Sequence, residues 1–206
     1  MVNLIWVTPN AMEVIAFCAR VSNPANQNNS KTAPKLLKYL KREHHFSPFE
    51  MASACMEITT TRDIARQLLR HRSFSFQEFS QRYADPTKDL DFTTREPRLQ
   101  DPQNRQNSIT VDDGELYDRW ANIQSGMIEQ AKLAYNWAID NDIAKEQARA
   151  VLPEGLIKSK LYMAGTLRSW MHFVELRTGN GTQLEHQNIA VEIQRTLEEK
   201  ELFLWN

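Results

Sequence analysis

The chain has 206 residues, 25 lysines and arginines against 26 aspartates and glutamates, and a formal charge of −1. That balance lacks the global positive charge of a nucleic-acid coat, no apolar stretch approaches the roughly 20 residues of a membrane span, and two cysteines are too few for a disulfide framework. A chain of this length fits one domain and buries about 70% of the surface its unfolded form exposes; with no charged and then apolar opening segment, a reducing cytoplasm is its expected home.

In chain order, Asn3 to Thr8 reads as a short β-rich run ended by Pro9, and Ala11 to Val21 as a helix with Val14, Ile15, Cys18 and Val21 on its inner face. Ser22 to Ala33, with Pro24 and five Asn or Gln among twelve residues, reads as a polar surface loop. A helix over Thr32 to Arg42 turns Leu36, Leu37 and Leu40 inward and ends on Lys41 and Arg42, where the helix dipole favours cations. The adjacent His44 and His45 point in different directions on any regular element and have no acid or Cys at ligand spacing, so they are poor joint metal ligands. Residues 50 to 60 alternate, with Ala52, Ala54, Met56 and Ile58 on one face and Ser53, Cys55, Glu57 and Thr59 on the other. This is a half-buried strand in which Cys55 is a packed residue rather than a nucleophile.

The stretch from Arg62 to Arg82 is the chemical centre of the chain. Five arginines face only Asp63 and Glu78, a local excess of three positive charges. Residues 62 to 71 read as a helix with Ile64, Ala65, Leu68 and Leu69 as its apolar stripe and Arg62, Arg66 and Arg70 on another face. Like charges at that spacing repel by roughly 0.2–0.5 kcal/mol per pair, and no glutamate is interleaved. Over 75 to 83 the period becomes that of a strand, so Phe76, Glu78, Ser80 and Arg82 share a face and offer a carboxylate, a hydroxyl and a guanidinium to one ligand. Two readings stand at this point: a site for an anion, or cations gathered at a helix C-terminus by its dipole, which accounts for Arg70 to Arg72 but not for the polar row.

Asp85 to Asp113 is long, polar and broken by Pro86, Pro97 and Pro102, and as a structureless loop beside the arginine run it is a candidate lid. Glu115 to Asn141 is the longest helix, and its stripe of Leu116, Trp120, Ile123, Met127, Ala131, Ala134 and Ala138 is core or subunit interface. Ile143 to Val151 is a short helix stopped before Pro153, and Ile157 to Leu167 is a strand. Arg168 to Arg177 is a helix burying Trp170, Phe173, Val174 and Leu176. Gly179 reads as its C-cap. Thr182 with Glu185 makes a capping box for the last helix, whose Ala190, Ile193 and Leu197 face inward. Three strands among helices predict one α/β domain of the α+β type with a central, largely antiparallel sheet. There is no Gly-x-Gly-x-x-Gly and no Walker lysine.

The run from Arg70 to Arg82 resembles the motif of the flavin-dependent thymidylate synthases, Arg-His-Arg-x-x-Ser-x-Asn-x-x-Ser-x-Arg, matched at Arg70, His71, Arg72, Ser75, Ser80 and Arg82, with Gln77 in place of Asn. Three further stretches match that family in order: His45, Ser47, Pro48, Phe49 and Glu50; Glu146, Ala148, Arg149, Leu152 and Pro153; and Arg168, Ser169, Phe173 and Arg177. The resemblance implies methylation of dUMP to dTMP, with FAD as cofactor and NADPH and methylenetetrahydrofolate as co-substrates, in a homotetramer whose sites are shared between subunits. By carry-over Ser47, Arg70, His71, Arg72, Glu78, Thr166, Leu167, Arg168 and His172 contact the flavin, and His45 lies near its ring on the folate side. Many members carry Asn at the positions of Thr166 and His172. Gln67, Leu68, Leu69, Arg70, Glu78, Phe79, Ser80, Gln81, Arg82 and, from a neighbouring subunit, Arg149 bind the nucleotide. Arg177 faces the pyrimidine as the catalytic residue. No metal is implied. Two other classes compete: a single-stranded nucleic-acid module stacking bases on Phe74, Phe76 and Phe79, against which the acidic balance speaks, and a metal-dependent hydrolase built on the five histidines.

Overall fold

A computed structural model of the chain describes residues 1–200 and 202. The elements are β1 (Val2–Val7), α1 (Ala11–Ala19), α2 (Ala33–Arg42), β2 (Ser53–Thr61), α3 (Arg62–Leu68), β3 (Ser75–Glu78), α4 (Pro86–Asp89), β4 (Arg98–Gln100), β5 (Ser108–Thr110), α5 (Gly114–Asp140), α6 (Lys145–Ala148), β6 (Lys158–Thr166), α7 (Leu167–Arg177) and α8 (Leu184–Glu199). The main sheet runs β1–β2–β6–β3 and every neighbouring pair is antiparallel, giving the expected mixed α/β architecture.

The register explains the core. Met56 lies opposite Met163 and Ile58 opposite Leu161, so the alternation read in β2 and β6 sends one face inward. Helices α1, α2, α3, α7 and α8 cover that face with Ile15, Leu37, Ile64, Leu68, Trp170, Phe173, Ile189 and Ile193 in one cluster. Glu57 and Tyr162 sit side by side on the opposite face, where the Tyr162 hydroxyl donates to Glu57 Oε2 at 2.9 Å. A second, smaller cluster joins α5 to the chain before β6 through Phe92, Tyr135, Ala138, Leu152 and Ile157.

Several expectations need correction. Helix α3 ends at Leu68 rather than residue 71, because the Arg70 and His71 amides bond back only three residues, to the Gln67 and Leu68 carbonyls. Strand β3 ends at Glu78 rather than 83, and Ser80 opens a turn whose carbonyl accepts from the Tyr83 and Ala84 amides. The row from Phe76 to Arg82 is therefore not one strand face. Residues 85 to 113 are not structureless: they contain α4 and the β4–β5 hairpin. Arg95 and Arg98 bolt the segment to the body, Arg95 through Thr61 and Asp63 and through Gln124 of α5, and Arg98 through Glu185. The capping box does not form, since Glu185 is held by Arg98 and no side chain caps α8. Gly181, not Gly179, takes the left-handed conformation after α7, at φ 88°. Val21 and Leu176 are exposed, and Ala16 and Met171 fill the places foreseen for them in the core. Cys18 is only half-buried. On α5, Ala131 and Ala138 are buried, while Trp120, Ile123 and Met127 of the same stripe face outward.

Candidate active site

Beyond α3 the chain winds tightly. This carries the His71 ring inward against Phe173, at 4.9 Å between centroids, and leaves Arg70 and Arg72 exposed. Phe74 is buried against Trp170 at 4.6 Å and anchors the far end of the turn. It fits only because residue 165 is glycine: a Cβ there would stand 2.4 Å from Phe74 Cδ1. Gly165 precedes Thr166 and Leu167 at the start of α7, so this one close approach sets the arginine turn against α7.

Arg177, in the last turn of α7, donates from Nε to His71 Nε2 at 2.9 Å. That bond requires a lone pair on His71 Nε2, so the neutral ring carries its proton on Nδ1. Burial, then the Arg177 and His172 charges, push the His71 pKa down to about 4. His186 is wholly buried beside it, with ring centroids 6.2 Å apart, and burial with Arg177 and His71 pushes it down to about 4 as well. Burial, with Arg70 nearby, lowers the Arg177 pKa. Positive charge is thus gathered here without relief.

The other arginines are neutralised from afar. Arg62 pairs with Glu78 at 3.4 Å and Glu154 at 3.7 Å, and Arg66 pairs with Glu154. These acids, distant in sequence, supply what the helix lacked. Among the described residues Arg70, Arg72 and Arg177 form no ion pair. An anion brought to them gains charge-assisted bonds without displacing an internal carboxylate.

The remaining predicted residues fall around this centre in three groups. Arg168 pairs with Glu50 at 2.7 Å, and with Phe46 it is shared by two adjoining clefts. One, of about 260 Å³, adds Ser73, Ser169, Met171, His172 and Glu175; the other adds His44, His45, Ser47 and Glu50. Thr166 caps α7, accepting from the Ser169 amide at 3.2 Å, and Leu167 is buried. The Glu78 carboxylate is occupied by Arg62 and by the Ser159 hydroxyl at 2.7 Å. Leu68 and Gln81 are buried, while Leu69 is exposed. The Phe79 amide bonds Lys160 O at 2.8 Å, and Ser80 Oγ accepts from the Arg82 amide at 3.4 Å. A third group stands apart: Arg82 pairs with Glu146 at 3.1 Å, and Arg149 Nε donates to the Glu146 carbonyl at 3.3 Å. No hydrogen bond or ion pair among the described residues joins Arg82 and Arg149 to Arg177.

A cavity of about 590 Å³ lies between the β1–α1 connection and α2 and contains none of these groups. With Phe74 buried and Phe76 and Phe79 half-buried, the base-stacking row of the nucleic-acid reading is not presented to solvent. Among the described residues no group of three His, Cys, Asp or Glu is placed to hold a metal, and no helix is long and apolar enough to cross a membrane. His186 escaped the motif reading. Its one signal is position, since it falls on the buried stripe of α8 with Ala190, Ile193 and Leu197, where a polar residue calls for a reason.

An antiparallel sheet thus carries helices that bring Arg177 and Arg70, which form no ion pair among the described residues, beside the neutral imidazoles of His71 and His186. The chain belongs to the thymidylate synthase complementing protein family, whose model matches residues 3–201. It is 49% identical over 180 residues to a probable flavin-dependent thymidylate synthase of Paramecium bursaria Chlorella virus 1, covering 87% of this chain and 82% of that protein. It is 47% identical over 179 residues to a flavin-dependent thymidylate synthase of a Synechocystis species, covering 86% and 80%. The structure resembles that of the UMP/dUMP methylase PolB from Streptomyces cacaoi bound with 5-Br dUMP, with a TM-score of 0.79 and 28% identity over 97% of this chain and 90% of that one.

Proposed function

We propose that this protein methylates dUMP to dTMP, with FAD as its flavin, NADPH as reductant and methylenetetrahydrofolate as carbon donor. The observation that carries the reading is Arg177, bonded to a neutral His71 and close to Arg70, with Arg72 exposed next to His71 in the chain; among the described residues none of the three arginines forms an ion pair. Arg70 and Arg72 offer exposed forks for phosphate or pyrophosphate. Arg177, held by His71, is aimed to neutralise charge that develops on the pyrimidine. A flavin held beside Ser47, Arg168 and His172 supplies the redox chemistry. The clefts on either side of Arg168 offer serine hydroxyls, the apolar wall of Phe46 and Met171, and a guanidinium that an anionic group would share with Glu50, while Glu175 lines the first cleft. Two free cysteines are consistent with a reducing cytoplasm.

We also infer a homotetramer. Trp120, Ile123, Met127 and Trp137 recur along α5 at heptad-like spacing and are 39%, 51%, 55% and 63% exposed, a stripe that a second copy of the chain would cover. Arg82 and Arg149 both engage Glu146 and, among the described residues, make no bond to Arg177, which accords with sites completed by a neighbouring subunit. The decisive experiment is anaerobic: NADPH should bleach the bound flavin, and dUMP with methylenetetrahydrofolate should restore its colour and release dTMP. Failure to form dTMP would overturn the assignment. An active monomer in sedimentation at micromolar concentration would overturn the tetramer.

A further inference from the structure

Four side chains lead from the β4–β5 hairpin to His186. Arg98 Nη2 donates to Glu185 Oε1 at 2.5 Å, Gln183 Nε2 to Glu185 Oε2 at 2.9 Å, Gln67 Nε2 to Gln183 Oε1 at 2.8 Å, and Gln67 Oε1 faces His186 Nδ1 at 3.1 Å. The direction of this chain has one source. A carboxylate can only accept, so Gln183 must turn its NH₂ toward Glu185 and its oxygen toward Gln67. Gln67 must then turn its NH₂ toward Gln183 and its oxygen toward His186, whose Nδ1 must carry the proton. His186 Nε2 is left as a bare lone pair, buried and without a hydrogen-bond partner among the described residues. The ring is neutral, since burial and the neighbouring Arg177 push its pKa to about 4, so its tautomer is a defined property of the site.

We propose that Arg98 and Glu185 are positioning residues that fix the polarity of the Gln67 amide, and through it the Nδ1–H tautomer of His186, for nucleotide binding beside Arg177. This rests on the dUMP reading in making Gln67 a nucleotide contact; the polarity itself does not. Gln67 is half-buried, and its Nε2 keeps one N–H beyond the bond to Gln183. A substrate rich in acceptor oxygens is matched by that donor and mismatched by a carbonyl in its place.

Glu185→Gln tests the direction with one atom changed. Arg98 demands an oxygen, so the new amide turns its NH₂ toward Gln183. The chain then reverses, and the His186 proton moves to Nε2. The dUMP dissociation constant of the FAD-loaded enzyme should rise about tenfold, the scale of one misoriented hydrogen bond. Arg98→Met should act in the same direction, Glu185→Asp should recover part of the loss, and in a Gln67→Met background Glu185→Gln should have no further effect. Unchanged dUMP affinity in Glu185→Gln, or the same tenfold loss with Gln67 already removed, would overturn the proposal. Ring-nitrogen shifts of ¹⁵N-histidine protein, with His186 assigned by its absence in His186→Gln, give a readout independent of substrate. The Nδ1–H signature should be present in the parent and lost in Glu185→Gln, and its persistence there overturns the relay. A parent that binds no dUMP refutes the functional reading and leaves the nitrogen shifts to decide the polarity.

Discussion

Arg177 and Arg82 carry the same charge in different company. Arg177 is half-buried, forms no ion pair among the described residues and is oriented by His71, whereas Arg82 is exposed and already paired with Glu146. A donor aimed at charge that develops during reaction contributes mainly to the transition state, and losing it costs about 2.7–4 kcal/mol, on the order of a hundred- to a thousandfold in kcat. A contact made equally before and during reaction changes KM instead. Lysine keeps the charge at either position and loses the planar fork. Arg177→Lys is therefore expected to lower kcat, and Arg82→Lys to raise the KM for dUMP. A dUMP titration of both variants checks this, and normal turnover of Arg177→Lys at saturation would remove Arg177 from its role. The cysteines differ again. Burial raises the Cys55 thiol pKa, so it holds little thiolate, and Cys18 belongs to no matched stretch. Replacing both by Ala should leave turnover nearly intact in steady-state assays; an inactive but folded, flavin-bound double variant would contradict a route without a cysteine nucleophile.

At the scale of elements, the site depends on how the turn after α3 is pressed against β6 and α7. Gly165 is the point of pressure, because Phe74 occupies the space a side chain would need. Gly165→Ala must displace the Phe74 ring from Trp170 and Phe173, an overpacking that costs about 1–3 kcal/mol. The expected result is a lower denaturation midpoint together with weaker flavin retention, because Thr166 and Leu167, flavin contacts only by resemblance to the family, follow directly. Combining it with Phe74→Leu should recover part of the stability, and urea unfolding of the three variants measures this. A neutral Gly165→Ala would mean that the turn is not held by this contact.

For the whole molecule, the two depressed histidines tie stability to pH. His71 and His186 titrate near 4 when folded and near 6.5 in the unfolded chain. Between those values the unfolded state binds more protons, so acidification from 6.5 toward 4 favours unfolding, and above 6.5 neither group changes the balance. Thermal unfolding at fixed protein concentration should show Tm falling across that window, with a shallower fall in His186→Gln. A Tm independent of pH from 6.5 to 4 would show that neither ring is held neutral by the fold.

The sequence alone determined what depends on neighbours along the chain. The alternation of β2 and β6, the apolar stripes of α2, α7 and α8, and the four motif stretches are local patterns whose spacing is their signal. Its failures share one cause. Arg62 and Arg66 meet Glu154, Gln67 meets His186, and Arg98 meets Glu185, all across long sequence separations. Coulomb energy and hydrogen bonding depend on distance in space, and no periodicity announces a partner that far away. The same blindness hid the breaks in α3 and β3, where tertiary packing of His71 and the turn at Ser80 overrode patterns that ran on. Composition could count the arginines, but only the folded arrangement decided which were neutralised and which were left for a ligand.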